Sequence, residues 1–130
     1  MSKNVTVIGV GRLGLGLALL IEKGGYNVRG VDIFPDYVKC LNDKTYKTKE
    51  PEYEKLLQNS KNFHSTTSLE EGLRFSNIIF IVVQTPNGGG KRFYDHTILS
   101  NLLVKINKHK VKNKDIIIGC TVMQIFTILQ

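Results

Sequence analysis

From Val5 to Ile33 the chain reads VTVIGVGRLGLGLALLIEKGGYNVRGVDI, and Gly9, Gly11 and Gly14 in it fall in a G-x-G-x-x-G spacing. Nothing else in the sequence restricts the fold as much. Glycine weakens the interior of a strand or helix, so three in so short a stretch mark a turn whose backbone does something a side chain would prevent. Before the turn, Val5–Val10 is a β-branched apolar run of strand length. After it, Arg12–Gly24 carries Leu13, Leu17, Leu20 and Ile21 at helical spacing, and Gly24-Gly25 stops the helix. Asn27–Val31 then reads as a second strand, closed by Asp32.

The alternation continues. Pro35 opens a helical pattern to about Asp43 with Val38 and Leu41 on one face, and Pro51 opens another in PEYEKLLQ. Asn62–Ser65 is a weaker third strand, and Thr67 or Ser68 followed by Glu70 or Glu71 caps a helix over LEEGLRF. Asn77–Val83 (NIIFIVV) is a strand apolar on both faces. Gln84–Tyr94 is a loop around NGGGK, Asp95 caps a helix to about Lys108, and Asp115–Cys120 (DIIIGC) is a fifth strand. Apolar strands alternating with helices predict a parallel sheet covered on both faces, and right-handed crossovers make it a doubly wound, Rossmann-like α/β fold of about five strands. We expect residues 1–122 to form this domain and residues 123–130 an atypical tail.

With 130 residues the chain suits one domain, and 42% apolar with 22% charged residues is ordinary globular composition. No apolar run reaches the ~18 residues of a membrane span, and Met-Ser-Lys-Asn leads straight into an apolar run without a cleavage site, so no membrane partner and no signal peptide are expected. Cys40 and Cys120 lie far apart without a motif, which points to a reduced, cytoplasmic setting and two core thiols. The net charge of +7 comes from scattered lysines with one dense patch, Lys105–Lys114 (KINKHKVKNK), which lacks interleaved aromatics. It reads as a solvated helix end and loop, with no nucleic-acid partner.

The glycine turn has a chemical reading. Gly9 permits the sharp turn, Gly11 lets a pyrophosphate approach the backbone, and Gly14 lets the helix lie close to the strand. The first-turn amides lack helical acceptors and sit at the positive end of the helix dipole. Asp32 ends the second strand, where its carboxylate can accept both hydroxyls of an adenosine ribose and repel a 2′-phosphate. Ile33 and Phe34 follow it with no Arg or Lys, so NAD is favoured over NADP. The expected cofactor contacts are Gly9, Gly11, Arg12, Leu13, Gly14, Asp32 and Ile33. Arg12 is either a counter-charge for phosphates or an ordinary exposed helix residue. A turn that only packs a helix on a sheet is the bland alternative to the whole motif.

Five segments in order resemble the nucleotide-sugar 6-dehydrogenases, the UDP-glucose and GDP-mannose dehydrogenases. They are GVGRLGLGLALLIEKGGYNVRGVDI, DYVKCLND, EPEYEKLL at Glu50–Leu57, FIVVQTP at Phe80–Pro86 with Tyr94-Asp95 beyond it, and IIIGCTV at Ile116–Val122. The resemblance implies an oxidoreductase that uses NAD to oxidise a nucleotide sugar such as UDP-glucose to its uronic acid. It also implies that Thr85 lies beside the cofactor ribose and pyrophosphate, and that Thr121, a catalytic candidate, neighbours the nicotinamide and helps organise a water. Each Thr has a plainer alternative: Thr85 starts the turn before Pro86, and Thr121 satisfies strand-end backbone groups. Glu50 is either an acid near the cofactor or a helix cap, with the cap preferred.

The chain departs from the family at its end. Cys120 stands where the family has Ser, and MQIFTILQ replaces a P-x-G-T turn. The family's sixth strand, connecting helix and sugar-nucleotide domain, with the nucleophilic Cys, Lys and Asp, have no counterpart here. The expectation is a cofactor half, cut or frame-shifted near residue 123 and inactive alone. A UDP-sugar would be a partner only with that domain supplied, and the open sheet edge invites a homodimer. Two other hypotheses compete. One is a non-catalytic nucleotide sensor like the regulatory domains of potassium-transport systems, which share G-x-G-R-x-G but usually carry a Gly-Asp where this chain has FHSTTS. The other is a relic that binds nothing well. His64, His96 and His109 have no metal-ligand spacing, so no metal is expected, and NGGGKR lacks the P-loop pattern.

Overall fold

The computed structural model describes residues 3–83 and 97–119. In chain order the elements are β1 (Asn4–Ile8), α1 (Arg12–Lys23), β2 (Asn27–Val31), α2 (Pro35–Asp43), α3 (Pro51–Asn59), β3 (Phe63–Thr66), α4 (Leu69–Phe75), β4 (Ile78–Ile81), α5 (Thr97–Lys108) and β5 (Asp115–Ile118). The strands form one sheet in the order β3-β2-β1-β4-β5, with every pairing parallel. This is the expected Rossmann-like architecture. Strands and helices begin and end within about two residues of the sequence reading, the usual fraying of element ends.

Alternation along β1 sorts its side chains between two cores. Val5 and Val7 join Leu15 and Leu19 of α1, Leu41 of α2 and Leu57 of α3 in one layer. Ile8 joins Leu73 of α4 and Leu99 and Ile106 of α5 in the other. Leu15, Leu73, Ile79, Ile81 and Leu99 are almost fully buried, and each such side chain contributes about 1.5–3 kcal/mol relative to exposure. The connection through α4 carries the chain from β3 at one edge past β2 and β1 to β4. Strand order therefore reverses between β1 and β4, and a crevice opens there at the carboxyl ends, where this class of sheet binds ligands.

Two points refine the sequence reading. The helical spacing of Leu13, Leu17, Leu20 and Ile21 holds, but Leu13 is 74% and Leu20 60% exposed, while Ile21 packs against the core. The buried face is Gly14, Leu15, Gly16, Ala18 and Leu19. The helix is leucine-rich all round, so apolar spacing leaves its rotation open, and the small residues decide it by allowing close approach. The second point is β5, whose Ile116 and Ile117 are 38% and 42% exposed although the strand is apolar. It lies at the sheet edge, where an apolar run can stand without cover from the described residues. Ser68 does cap α4, accepting the Glu71 amide at 3.1 Å. Cys40 is half-buried, and Cys120 lies outside the described residues.

Candidate nucleotide-binding site

The site forms where β1 ends. Gly9 has φ +91°, a left-handed value that side-chain-bearing residues rarely adopt, and a Cβ there would overlap the Val82 carbonyl at the end of β4. Its amide donates to the Val31 carbonyl at 2.7 Å, which ties the turn to β2. A Cβ on Gly14 would overlap the Gly9 carbonyl oxygen, so α1 presses directly on the turn. Gly11 differs: a Cβ there would meet nothing within 4 Å among the described residues. The glycines at 9 and 14 are thus required by the protein's own packing, whereas the space at Gly11 is left for something else.

Gly11 is the N-cap of α1, and no side chain caps the helix. The first helical hydrogen bond runs from the Leu15 amide to the Gly11 carbonyl at 2.8 Å, so the amides of Arg12, Leu13 and Gly14 precede any i→i−4 acceptor. The first turn carries no acidic residue. A helix N-terminus with free amides, no acidic residue in its first turn and no Cβ at its mouth suits an anion such as a diphosphate.

Asp32 lies one residue past β2, and its backbone amide donates to the Thr66 carbonyl at 3.1 Å. Its carboxylate accepts from the Val10 amide at 3.3 Å and the Phe34 amide at 3.4 Å. Val10 is held from a second side, because the Tyr37 hydroxyl donates to its carbonyl. Tyr37 packs edge-on against Tyr46, with ring centroids 5.3 Å apart. Burial first, then Tyr46 and Asp32, push the Tyr37 phenol well above its ordinary range, so it stays a donor. Sequence reasoning missed Tyr37. Its place one turn into the helix after Asp32 is the only signal, and its partner is a backbone carbonyl that no pattern reveals.

Arg12 opens α1 and pairs with Glu50, its Nε and Nη2 each 2.7 Å from the Glu50 Oε1. Glu50 occupies the N-cap position of α3, but its side chain makes no cap hydrogen bond, so the cap preferred from sequence is not what the carboxylate does. Leu13 and Ile33 stand exposed beside the turn, Ile33 at 75%. The structure therefore gathers Gly9, Gly11, Arg12, Leu13, Gly14, Asp32 and Ile33 at one end of the sheet. Thr85, Asp95 and Thr121 lie outside the described residues. Among the described residues no three His, Cys, Asp or Glu side chains group in a way that could hold a metal ion.

A glycine turn at a switch point, with an acid closing the second strand, belongs to the class of dinucleotide-binding domains. Residues 3–126 match the UDP-glucose/GDP-mannose dehydrogenase family, NAD binding domain, and the chain belongs to that family. It is an NAD-binding domain of this group of oxidoreductases. A UDP-N-acetyl-D-mannosamine dehydrogenase of Methanocaldococcus jannaschii is 30% identical over 127 residues, 94% of this chain and 29% of that protein. One from Pyrococcus horikoshii is 34% identical over 88 residues, 66% of this chain and 21% of that protein. The solved structure of the UDP-D-ManNAc dehydrogenase from Pyrococcus horikoshii superposes with a TM-score of 0.80 at 28% identity, covering 92% of this chain and 28% of that one. GDP-mannose dehydrogenase from Pseudomonas aeruginosa shares the fold, with a TM-score of 0.81 at 22% identity over 92% of this chain and 28% of that one. The chain thus spans between a fifth and three-tenths of the length of these relatives.

Proposed function

We propose that the chain holds NAD with its diphosphate over Gly11 and the amides of Arg12, Leu13 and Gly14, and with Asp32 accepting from the adenosine ribose. Gly9 and Gly14 shape the turn, Ile33 and Leu13 flank it, and the family resemblance carries cofactor roles over to Thr85 and Thr121. The observation that carries the reading is the open space at Gly11 in front of a helix N-terminus, beside a carboxylate anchored at the end of β2. When bound, the nicotinamide supplies the hydride acceptor, while the protein contributes position and electrostatics.

The reaction served is oxidation of the C6 hydroxymethyl of a nucleotide sugar to the carboxylate, reducing two NAD+. Relatives named UDP-N-acetyl-D-mannosamine dehydrogenase turn the sugar reading toward an N-acetylated UDP-hexosamine and away from UDP-glucose. The residues that the family uses on the sugar have no counterpart in these 130 residues, so the chain alone does not turn over and serves as the cofactor half. The setting is the cytoplasm, where NAD and UDP-sugars meet. No helix among the described residues is long and apolar enough to cross a membrane. A second copy pairing along the exposed β5 edge would give a homodimer.

Calorimetric titration with NAD+, NADP+ and ATP tests the reading. NAD+ binding at least about tenfold tighter than either competitor supports it, since a 2′-phosphate would face the Asp32 carboxylate. Preference for ATP would instead make the chain a nucleotide sensor.

A further inference from the structure

We propose that Glu50 competes with a bound diphosphate for the Arg12 guanidinium, so that this one ion pair sets how tightly the domain holds its cofactor. The proposal rests on reading the glycine turn as the diphosphate site.

The geometry of the pair carries it. Arg12 directly follows Gly11 at the start of α1, and its side chain is 80% exposed. Its Nε and Nη2 both point at one Glu50 oxygen, at 2.7 Å each. That carboxylate has no structural duty at its own helix, because it does not cap α3. Its position is nonetheless fixed. The Glu50 amide donates to Thr48 Oγ1 at 3.2 Å, the Thr48 amide donates to Glu54 Oε1 at 2.9 Å, and the Glu50 carbonyl accepts the Tyr53 amide at 3.0 Å. α3 in turn rides on α1, since a Cβ on Gly16 would overlap the Tyr53 hydroxyl. The fold thus pairs an acid with the arginine that opens the helix of a site built for an anion.

An exposed pair of this kind is weak in water and opens readily. A diphosphate brings two negative charges to the same guanidinium. Arg12 must then be shared with, or taken from, Glu50, whose charge also opposes the ligand directly. Neutralising Glu50 removes both costs, whereas neutralising Arg12 leaves the acid uncovered.

NADH fluorescence titrations of the wild-type chain, Glu50→Gln and Arg12→Gln, at low and high salt, test this. At low salt, Glu50→Gln is expected to tighten NADH binding about three- to tenfold and Arg12→Gln to weaken it by a similar factor, with both differences shrinking as added salt screens the charges. Calorimetric titration with adenosine, which lacks the diphosphate, should show the three proteins alike. Glu50→Gln binding NADH equally well or less well would overturn the proposal, as would a change that salt does not alter. If none of the three proteins, wild type included, binds NADH, the diphosphate reading of the glycine turn itself falls, and the competition with it.

Discussion

At the scale of single residues, Val10 links the turn to the second half of the nucleotide-binding unit. Its amide goes to Asp32 and its carbonyl receives Tyr37, so one backbone unit is held by β2's end and by α2. Asp32→Asn should weaken NAD+ binding about ten- to a hundredfold, because hydrogen bonds to a charged acceptor contribute about 1.5–3 kcal/mol, and should narrow the preference over NADP+. Calorimetry with both cofactors measures each effect. Gly11→Ala and Gly14→Ala separate the ligand's need from the fold's. A methyl at Gly11 meets no atom of the described residues, so the variant's melting temperature should stay near wild type while NAD+ binding drops. A methyl at Gly14 meets the Gly9 carbonyl and should cost about 1–3 kcal/mol of stability, an overpacking penalty. Tyr37 gives a pH signature. Its folded pKa is raised above the unfolded 10.0, so the unfolded state releases the proton first, and stability present below pH 10.0 falls as pH rises beyond it. Denaturant titrations between pH 9 and 11 should show Tyr37→Phe losing less stability over that range than wild type. The glycines and Asp32 were legible because their roles depend on spacing and on the absence of a side chain. Tyr37 and the Arg12–Glu50 pair were not, because their partners lie 27 and 38 residues away and leave no periodic trace.

At the scale of elements, order and type followed from composition and punctuation. Proline at the first turn of α2 and α3, Ser68 before α4 and paired glycines after α1 each mark a boundary by a backbone mechanism. Rotation and cover were less legible. α1 has leucines on every side, and the face it buries mixes Leu15 and Leu19 with Gly14, Gly16 and Ala18. β5 is apolar yet exposed because edge position is a property of the sheet and not of the strand. α4 shows how close packing is specified. The Thr6 hydroxyl of β1 donates to the Gly72 carbonyl at 2.7 Å inside the core, and a Cβ on Gly72 would overlap Val31. Gly72→Ala gains about 0.5–1 kcal/mol of helix propensity but pushes α4 off the sheet at a cost of about 1–3 kcal/mol. A lower denaturation midpoint is the expected net result, and a higher one would show that α4 has room to move.

At the scale of the whole molecule, one topological fact organises the function. The chain crosses from β3 to β4 through α4, strand order reverses beside β1, and the glycine turn lies at that reversal. The parallel order was legible because buried strands alternate with helices and crossovers have one hand. What the rest of a dehydrogenase would add was legible only through the resemblance, because the chain spans between a fifth and three-tenths of the length of these relatives. Pure chain mixed with NAD+ and either UDP-glucose or UDP-N-acetyl-D-mannosamine should therefore give no NADH above a protein-free control. Light scattering should show mass rising with concentration, and Ile117→Lys should suppress the rise by charging the exposed edge. Amide NMR during titration with NAD+ decides whether a dinucleotide diphosphate rests on the amides that follow Gly11 with Asp32 on the ribose. The largest shifts should fall on Gly11, Arg12, Leu13, Gly14 and the Val10 and Phe34 amides that Asp32 accepts. Shifts clustered away from the carboxyl ends of β1 and β2, or none at millimolar NAD+, would rule that placement out.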